Sequence, residues 1–215
     1  VIFPEGGCSY QNDTVMPFRS GAVELSFKAI KKLHQHEGNV PDFYLVPVSL
    51  KYRYPGNTDY QIGQALSRLE VALSLKATEN DLYLRLRAIS ARVLSTIETE
   101  YHLTPVAEAD WNQRICFLRK HLLDYCEEKL QITPATQYPD RERVYKIQSV
   151  LAGIPESAQQ AEIDYQHFYQ TTVRLLNFDA IYDGYVATNP TPERFMATLD
   201  RFEREVFQID RPIYK

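Results

Sequence analysis

A glycine-containing loop near the start of the chain carries the side chains best suited to ligand binding. Gly6 and Gly7 allow backbone N–H groups to come close to a ligand, and Glu5 can accept a hydrogen bond from a hydroxyl group or hold a cationic side chain. Arg19 immediately precedes a predicted helix, where a guanidinium suits a phosphate group. Together these residues predict a binding site for a polyol phosphate.

The same residues also have a purely structural interpretation. Gly6 and Gly7 would then be turn glycines, and Glu5 would cap a local backbone group. Arg19 would be a solvated surface charge. Residue chemistry alone favours this interpretation, because few such loops hold a functional site.

The elements around the loop are predicted to be a strand end at 1–3, a helix over 20–36 and a second strand over 43–52. Ser20 suits the helix start, Gly38 suits its end, and a buried stripe is predicted at Val23, Phe27 and Ile30. This order is typical of a right-handed crossover in a parallel sheet, where ligands bind beyond the carboxyl ends of the strands. We expect the chain to be a fragment of a longer polypeptide.

The remainder of the chain has helical periodicity. Helices are predicted over 60–76, 81–103, 108–132, 139–153, 160–184 and 192–210. Two apolar stripes are the clearest signals: Phe195, Leu199, Phe202, Val206 and Ile209 behind a Thr191 cap, and Trp111, Ile115, Leu118, Leu122 and Tyr125. No residues recur at a fixed period, which disfavours a helical solenoid. We therefore predict two domains, residues 1–56 and a helical bundle over 57–215.

Composition and charge exclude several classes of protein. The 215 residues are 44% hydrophobic and 24% charged, so disorder and fibrous structure are not expected. A net charge of −4 argues against nucleic-acid binding. The three cysteines fit neither a disulfide framework nor a zinc site, which indicates a reducing compartment. No apolar run is long enough to cross a bilayer.

Three motifs distinguish the beginning of the chain from a generic sequence: Phe3-Pro4-Glu5-Gly6, Pro17-Phe18-Arg19-Ser20-Gly21-Ala22 and Val46-Pro47-Val48. In order and spacing they resemble the phospholipid/glycerol acyltransferase family, whose members acylate glycerol phosphate or lysophosphatidate with an acyl thioester. The resemblance covers residues 1 to 52. It implies that the acceptor is bound by Glu5, Gly6, Gly7, Ser9 and Arg19.

The chain departs from that family's pattern at two places. The family's catalytic histidine is followed five positions later by an aspartate, and no histidine here has an aspartate at that offset. We expect the catalytic pair to lie upstream in a parent protein, so that this chain carries no catalytic residue and is inactive by itself. Cys8 occupies the place of the family's phosphate-binding arginine, which leaves Arg19 or an upstream residue as its substitute.

Three other groupings are weaker candidates. His34-Gln35-His36-Glu37 is interpreted as a polar helix end rather than a metal site, because residues two apart on a helix point in different directions. Asp164 and His167 form a single acidic-x-x-His pair, whereas a di-iron bundle needs two such pairs. Cys8 has no nearby histidine to activate it as a nucleophile. No metal or cofactor is expected.

The sequence therefore predicts an α/β fold: the end of an acyltransferase sheet domain followed by a mainly α-helical region. The predicted function is acyl transfer from acyl-CoA or acyl-carrier protein to a glycerol-phosphate-type acceptor in phospholipid biosynthesis. The parent protein is expected to be cytoplasmic and peripheral to a membrane surface. The alternative is a non-catalytic helical module with a degenerate acyltransferase remnant, which binds lipid or a partner protein.

Overall fold

The computed structural model describes residues 2–7, 11, 13–38, 42–76, 80–104, 110–134, 136–155 and 164–208. The chain divides into two compact units, Val1–Arg53 and Tyr54–Lys215. The described residues form seven α-helices: α1 (Gly21–Glu37), α2 (Asp59–Ala72), α3 (Leu82–Glu100), α4 (Trp111–Lys129), α5 (Asp140–Ala152), α6 (Tyr165–Asn177) and α7 (Pro192–Phe207). A short 3-10 turn, Phe178–Ala180, follows α6. None of the helices in these ranges is long and apolar enough to span a membrane.

The predicted α/β fold is wrong for the described residues, which contain helices and no β-strand. Residues 43–52 do not form the predicted strand, and the strand end predicted at 1–3 is also absent from its described part, residues 2–3. Large apolar side chains between Phe43 and Tyr52 are 42–78% exposed. An apolar, β-branched run favours extended backbone, but a strand forms only when its N–H and C=O groups pair with a neighbouring strand.

The first unit contains the helix predicted over 20–36, which is confirmed as α1. Gly38 ends this helix with φ of 71°, and its N–H donates to the His34 carbonyl at 3.0 Å. Ser20 occupies the N-cap position, but its hydroxyl donates to Glu24 Oε1 at 2.6 Å instead of capping the backbone. The end of α1 was therefore predictable from Gly38. At its start, a hydrogen bond between the Ser20 and Glu24 side chains replaces the predicted cap.

The second unit is built from helices α2 to α7. Each helix from α2 to α5 packs against the next, while α6 packs on α4 and α5, and α7 packs on α2 and α3. Most of both predicted stripes faces this core: Phe195, Leu199 and Phe202 on α7 are at most 5% exposed, and Leu118 and Leu122 on α4 are at most 1% exposed. The predicted stripe residues Val206 and Tyr125 are only half-buried. Ile209 lies outside the described residues.

A contact between an arginine and a glutamate recurs at the three junctions between α2, α3, α4 and α5. The guanidinium near the start of one helix binds both carboxylate oxygens of a glutamate near the end of the preceding helix, at 2.6–2.9 Å. The pairs are Arg85 with Glu70, Arg114 with Glu98, and Arg143 with Glu127. Each arginine also donates to the side chain three residues before its glutamate: Ser67, Ser95 and Asp124.

The ends of α2, α3 and α4 repeat as well. The fourth residue after each glutamate has a left-handed backbone: Ser74 (φ 54°), His102 (φ 55°) and Gln131 (φ 54°). The N–H of the next residue donates to the carbonyl of that glutamate at 2.8 Å in all three cases, which satisfies a helix-terminal carbonyl. The three glutamates are 28 and 29 residues apart. The interpretation that no repeat exists was therefore wrong, and α2–α5 form a repeated helical array.

Candidate functional site

The predicted acceptor loop of the first unit is held together by hydrogen bonds between its two motifs. Glu5 Oε2 accepts from the backbone N–H of Met16 at 2.8 Å, and the N–H of Arg19 donates to the Pro4 carbonyl at 2.7 Å. The N–H of Gly6 donates to the Phe3 carbonyl at 3.2 Å and closes a tight turn. Residues eleven to fifteen positions apart in sequence thus form one local structure.

The side chain of Arg19 lies directly over Gly6. A Cβ atom at Gly6 would approach Arg19 Cδ to 2.5 Å and Nε to 2.6 Å, so a larger residue could not keep this contact. Gly6 also has φ of 64°, a backbone conformation that side chains other than glycine rarely adopt. Arg19 is exposed, and its Cδ and Nε atoms lie beside the glycine turn.

The predicted site residues have different places in this loop. Glu5, Gly6 and Arg19 are brought together, whereas Gly7 is exposed in the turn that follows. Ser9, and Cys8 at the position of the family's arginine, lie outside the described residues. Because the carboxylate of Glu5 accepts a backbone N–H, it has a structural role in the loop.

The weaker candidates have structural roles in the described residues. Asp164 accepts a hydrogen bond from the N–H of His167 at 3.0 Å and so caps the start of α6. His167 contacts the rings of Tyr101 and Tyr125, with ring centroids 5.9 Å apart in both cases. No group of three or more His, Cys, Asp or Glu residues in the described part of the chain is arranged to hold a metal ion.

The second unit contains a cleft of about 330 Å³ between α3 and α4 that sequence analysis missed. Its floor includes the buried Glu98–Arg114 pair, and its walls include Phe117, which is 58% exposed. Lys120 and His121 on α4 also line it. The available signal was Phe117 itself, a large aromatic residue that lies off the buried stripe of α4.

The cleft adjoins a cluster of aromatic side chains around Tyr101, which is half-buried. The ring of His121 lies edge-on to Tyr101 at 6.5 Å, and the Tyr101 hydroxyl is within hydrogen-bond distance of Thr171 Oγ1 at 2.8 Å. Burial raises the pKa of Tyr101, although the hydrogen bond with Thr171 and the charge of Arg174 act in the opposite direction. Tyr101 is therefore a neutral packing residue at physiological pH.

Comparison of the chain with protein-family models, with curated proteins and with solved structures finds no significant match.

Proposed function

We propose that this chain is part of a glycerolipid acyltransferase and that its first unit binds the phosphate of the acceptor. The proposal rests on the resemblance of the Phe3–Gly6 and Pro17–Ala22 motifs to the acyltransferase family. One observation carries it further: Arg19, from the second motif, lies over Gly6, from the first. An arginine that lies beside a glycine turn, two residues before the start of α1, is suited to a phosphate ester.

The acceptor hydroxyl must lose a proton when it attacks the acyl thioester, and a histidine–aspartate pair would accept that proton. No such pair at the family's spacing occurs in this sequence. We therefore assign acceptor binding, and not general-base catalysis, to residues 1–53. Residues 1–215 by themselves should show no turnover, whereas the whole gene product that contains them should transfer an acyl group to glycerol phosphate or lysophosphatidate.

The decisive experiment compares Arg19→Ala with a matched variant in the whole gene product. Arg19→Ala should raise KM for the phosphorylated acceptor about ten-fold and leave KM for the acyl thioester unchanged, because one charged hydrogen bond contributes about 1.5–3 kcal/mol. Lys28→Ala removes another exposed cation, on α1, and should change neither constant. Equal effects of Arg19→Ala on both substrates would contradict a role in acceptor binding.

A gene product that transfers no acyl group to either acceptor would overturn the acyltransferase proposal. The non-catalytic helical module that binds lipid or protein would then be the better description. Cys8→Arg added to Arg19→Ala is the corresponding gain-of-function test. It should restore part of the lost acceptor affinity if the loop binds a phosphate as the family's arginine does.

A further inference from the structure

Comparison of the three junctions of the second unit distinguishes residues that recur at every junction from residues that occur at one junction only. The arginine–glutamate pair and the apolar residue five positions after the glutamate occur at all three junctions, so they are part of the repeated scaffold. At the α3–α4 junction these residues are Glu98, Arg114 and Leu103, and all three line the cleft. Because these residue types recur at every junction, they do not by themselves distinguish this cleft from the other two junctions.

Three other lining residues have no counterpart in the repeat. Phe117, Lys120 and His121 occupy the positions of Ala88, Ala91 and Arg92 at the first junction. At the third junction the same positions hold Lys146, Ser149 and Val150, and Lys146 Nζ donates to the Thr133 carbonyl at 3.2 Å. The three lining residues that distinguish this cleft are therefore ones that the repeated scaffold does not require.

Lys120 is the charged side chain of the cleft that is best placed to bind an anionic ligand. Both carboxylate oxygens of Glu98 accept from Arg114, and Asp124 accepts at 3.0 Å from Arg143, which it shares with Glu127, so both acidic side chains of the lining already have an arginine partner. Lys120 is exposed and has no hydrogen-bond or ion-pair partner among the residues that the structure describes. An anionic group can bind there without displacing an existing ion pair.

Two lining residues, Phe117 and Leu103, provide an apolar surface. Phe117 exposes 58% of its surface, and Leu103 lies on the facing side of the cleft at the end of α3. A volume of about 330 Å³ is at the lower end of the range for small-molecule pockets, which is about 300–1,000 Å³. The combination of one available cation with an apolar wall matches a ligand that has a charged head and a single hydrocarbon chain.

We propose that the α3–α4 cleft binds a single-chain anionic amphiphile, with a carboxylate or phosphate head at Lys120 and its hydrocarbon chain against Phe117 and Leu103. This site lies entirely within the second unit and shares no residue with the loop around Arg19. Its test measures binding to the 215-residue chain and not turnover, so its failure is distinguishable from the failure of the acyltransferase proposal.

Calorimetric titration with four probes below their micellar concentrations tests the proposal. Decanoate and decyl phosphate share the chain and differ in the anionic head, decyl maltoside has the chain with a neutral head, and inorganic phosphate has no chain. At least one of the two anionic amphiphiles should bind with one-to-one stoichiometry and about ten-fold or more tightly than decyl maltoside and inorganic phosphate. Which of the two binds identifies the head group.

Variants on the same helix assign the binding to this cleft. Lys120→Gln should lower the affinity for the anionic amphiphile about ten-fold. Phe117→Ala should lower that affinity by a similar factor, because it removes apolar contact. Lys129→Gln removes an exposed cation of α4 outside the lining and should leave the affinity unchanged. Both cleft substitutions are at exposed positions, so an unchanged melting temperature will show that the fold is intact.

Three results would overturn the proposal. The first is that neither anionic amphiphile binds. The second is equal binding of decanoate, decyl phosphate and decyl maltoside with no effect of Lys120→Gln, which would indicate non-specific apolar adsorption. The third is binding that Lys129→Gln weakens as much as Lys120→Gln, which would place the ligand elsewhere on α4.

Discussion

Helices α1 and α7 have the same apolar periodicity but opposite environments. On α7, Leu199 and Phe202 are 0% and 1% exposed in the core of the second unit. On α1, Val23 and Phe27 are 51% and 68% exposed, although their spacing predicts burial equally well. Periodicity identifies a helix face that can be buried, whereas a neighbouring element decides whether it is buried.

The extended segment of the first unit supports the same conclusion. Val46 and Val48 belong to an apolar run of high strand propensity, and each is 78% exposed. In the second unit, by contrast, apolar residues from α2, α3, α4, α5 and α7 cover one another. The two units therefore differ in tertiary neighbours and not in the amphipathic quality of their sequences, and substitutions in each unit can test this difference.

The largest expected effect is a charge introduced into the α7 core. Leu199→Asp should unfold the second unit, because an unpaired carboxylate buried there costs on the order of several kcal/mol. Phe27→Asp, the matched change on α1, should shift the melting temperature little, because that side chain is largely exposed. Thermal unfolding followed by circular dichroism measures both variants. Equal destabilisation by the two substitutions would show that the α1 stripe is also buried.

The next effect concerns the arginine–glutamate pairs. Glu127→Ala should destabilise the second unit by about 3–5 kcal/mol in urea unfolding, because it leaves the buried Arg143 without its bidentate partner. Glu5→Ala in the first unit removes one hydrogen bond to Met16 and should not change unfolding of the second unit. Glu127→Leu combined with Arg143→Met should recover much of the loss, since apolar pairs often replace buried ion pairs. No recovery would indicate a structural requirement beyond charge pairing.

A smaller, pH-dependent effect is expected from Asp183, which accepts hydrogen bonds from Tyr83 at 2.6 Å and from Arg87. Burial acts to raise the pKa of Asp183, but these hydrogen bonds outweigh it, and the pKa lies below its ordinary value. The ionised carboxylate therefore stabilises the folded protein above its unfolded-state pKa of about 4, and this stabilisation is lost as the pH falls through the lower folded-state pKa.

Melting temperatures between about pH 5 and pH 2 measure this loss. Asp183→Asn should lower the melting temperature at neutral pH and make the acid profile flatter than that of the unsubstituted protein. Asp42→Asn, an exposed position in the first unit, should reproduce the unsubstituted profile. If Asp183→Asn left the acid profile unchanged, the hydrogen bonds at Asp183 would not contribute to stability.

The smallest expected effect is a difference in thiol reactivity between the two cysteines of α4, Cys116 and Cys126. Cys126 is fully buried, and this burial, with a further contribution from the charge of Glu127, raises its pKa to about 12. Cys116 is exposed. In a Cys8→Ser background at neutral pH, iodoacetamide should modify Cys116 and spare Cys126 until urea is added, as peptide mass analysis can show. Modification of both in the native protein would contradict the packing of α4.

Much of the helical structure was predictable from local signals. The Thr191 side chain accepts from the N–H of Arg194 at the start of α7, as its sequence position predicts. The predictions failed at the ends of α2, α3 and α4, because each predicted helix extends three or four residues beyond the end that the structure shows. Ser74, His102 and Gln131 adopt left-handed backbones there without the glycine that normally signals such an ending.

The two candidate sites, the loop around Arg19 and the α3–α4 cleft, also differ in whether the sequence predicted them. The loop residues Glu5, Gly6 and Arg19 were identified from a motif, and their contacts are local. The α3–α4 cleft was not predictable, because it depends on which face of α3 meets α4. The repeat itself was hidden because its shared residues are few and the core positions between them vary, as at Leu69, Ile97 and Cys126.

The sequence by itself determined the helical segments, their apolar faces and the loop motifs, because each depends on residues a few positions apart. Tertiary structure alone decided that residues 43–52 form no strand, that the α1 stripe is exposed and that Arg114 binds Glu98. These outcomes depend on neighbours sixteen or more residues away or on a second strand. Local propensity favours a conformation, whereas the free energy of burial and of hydrogen bonding is gained only when a distant partner is present.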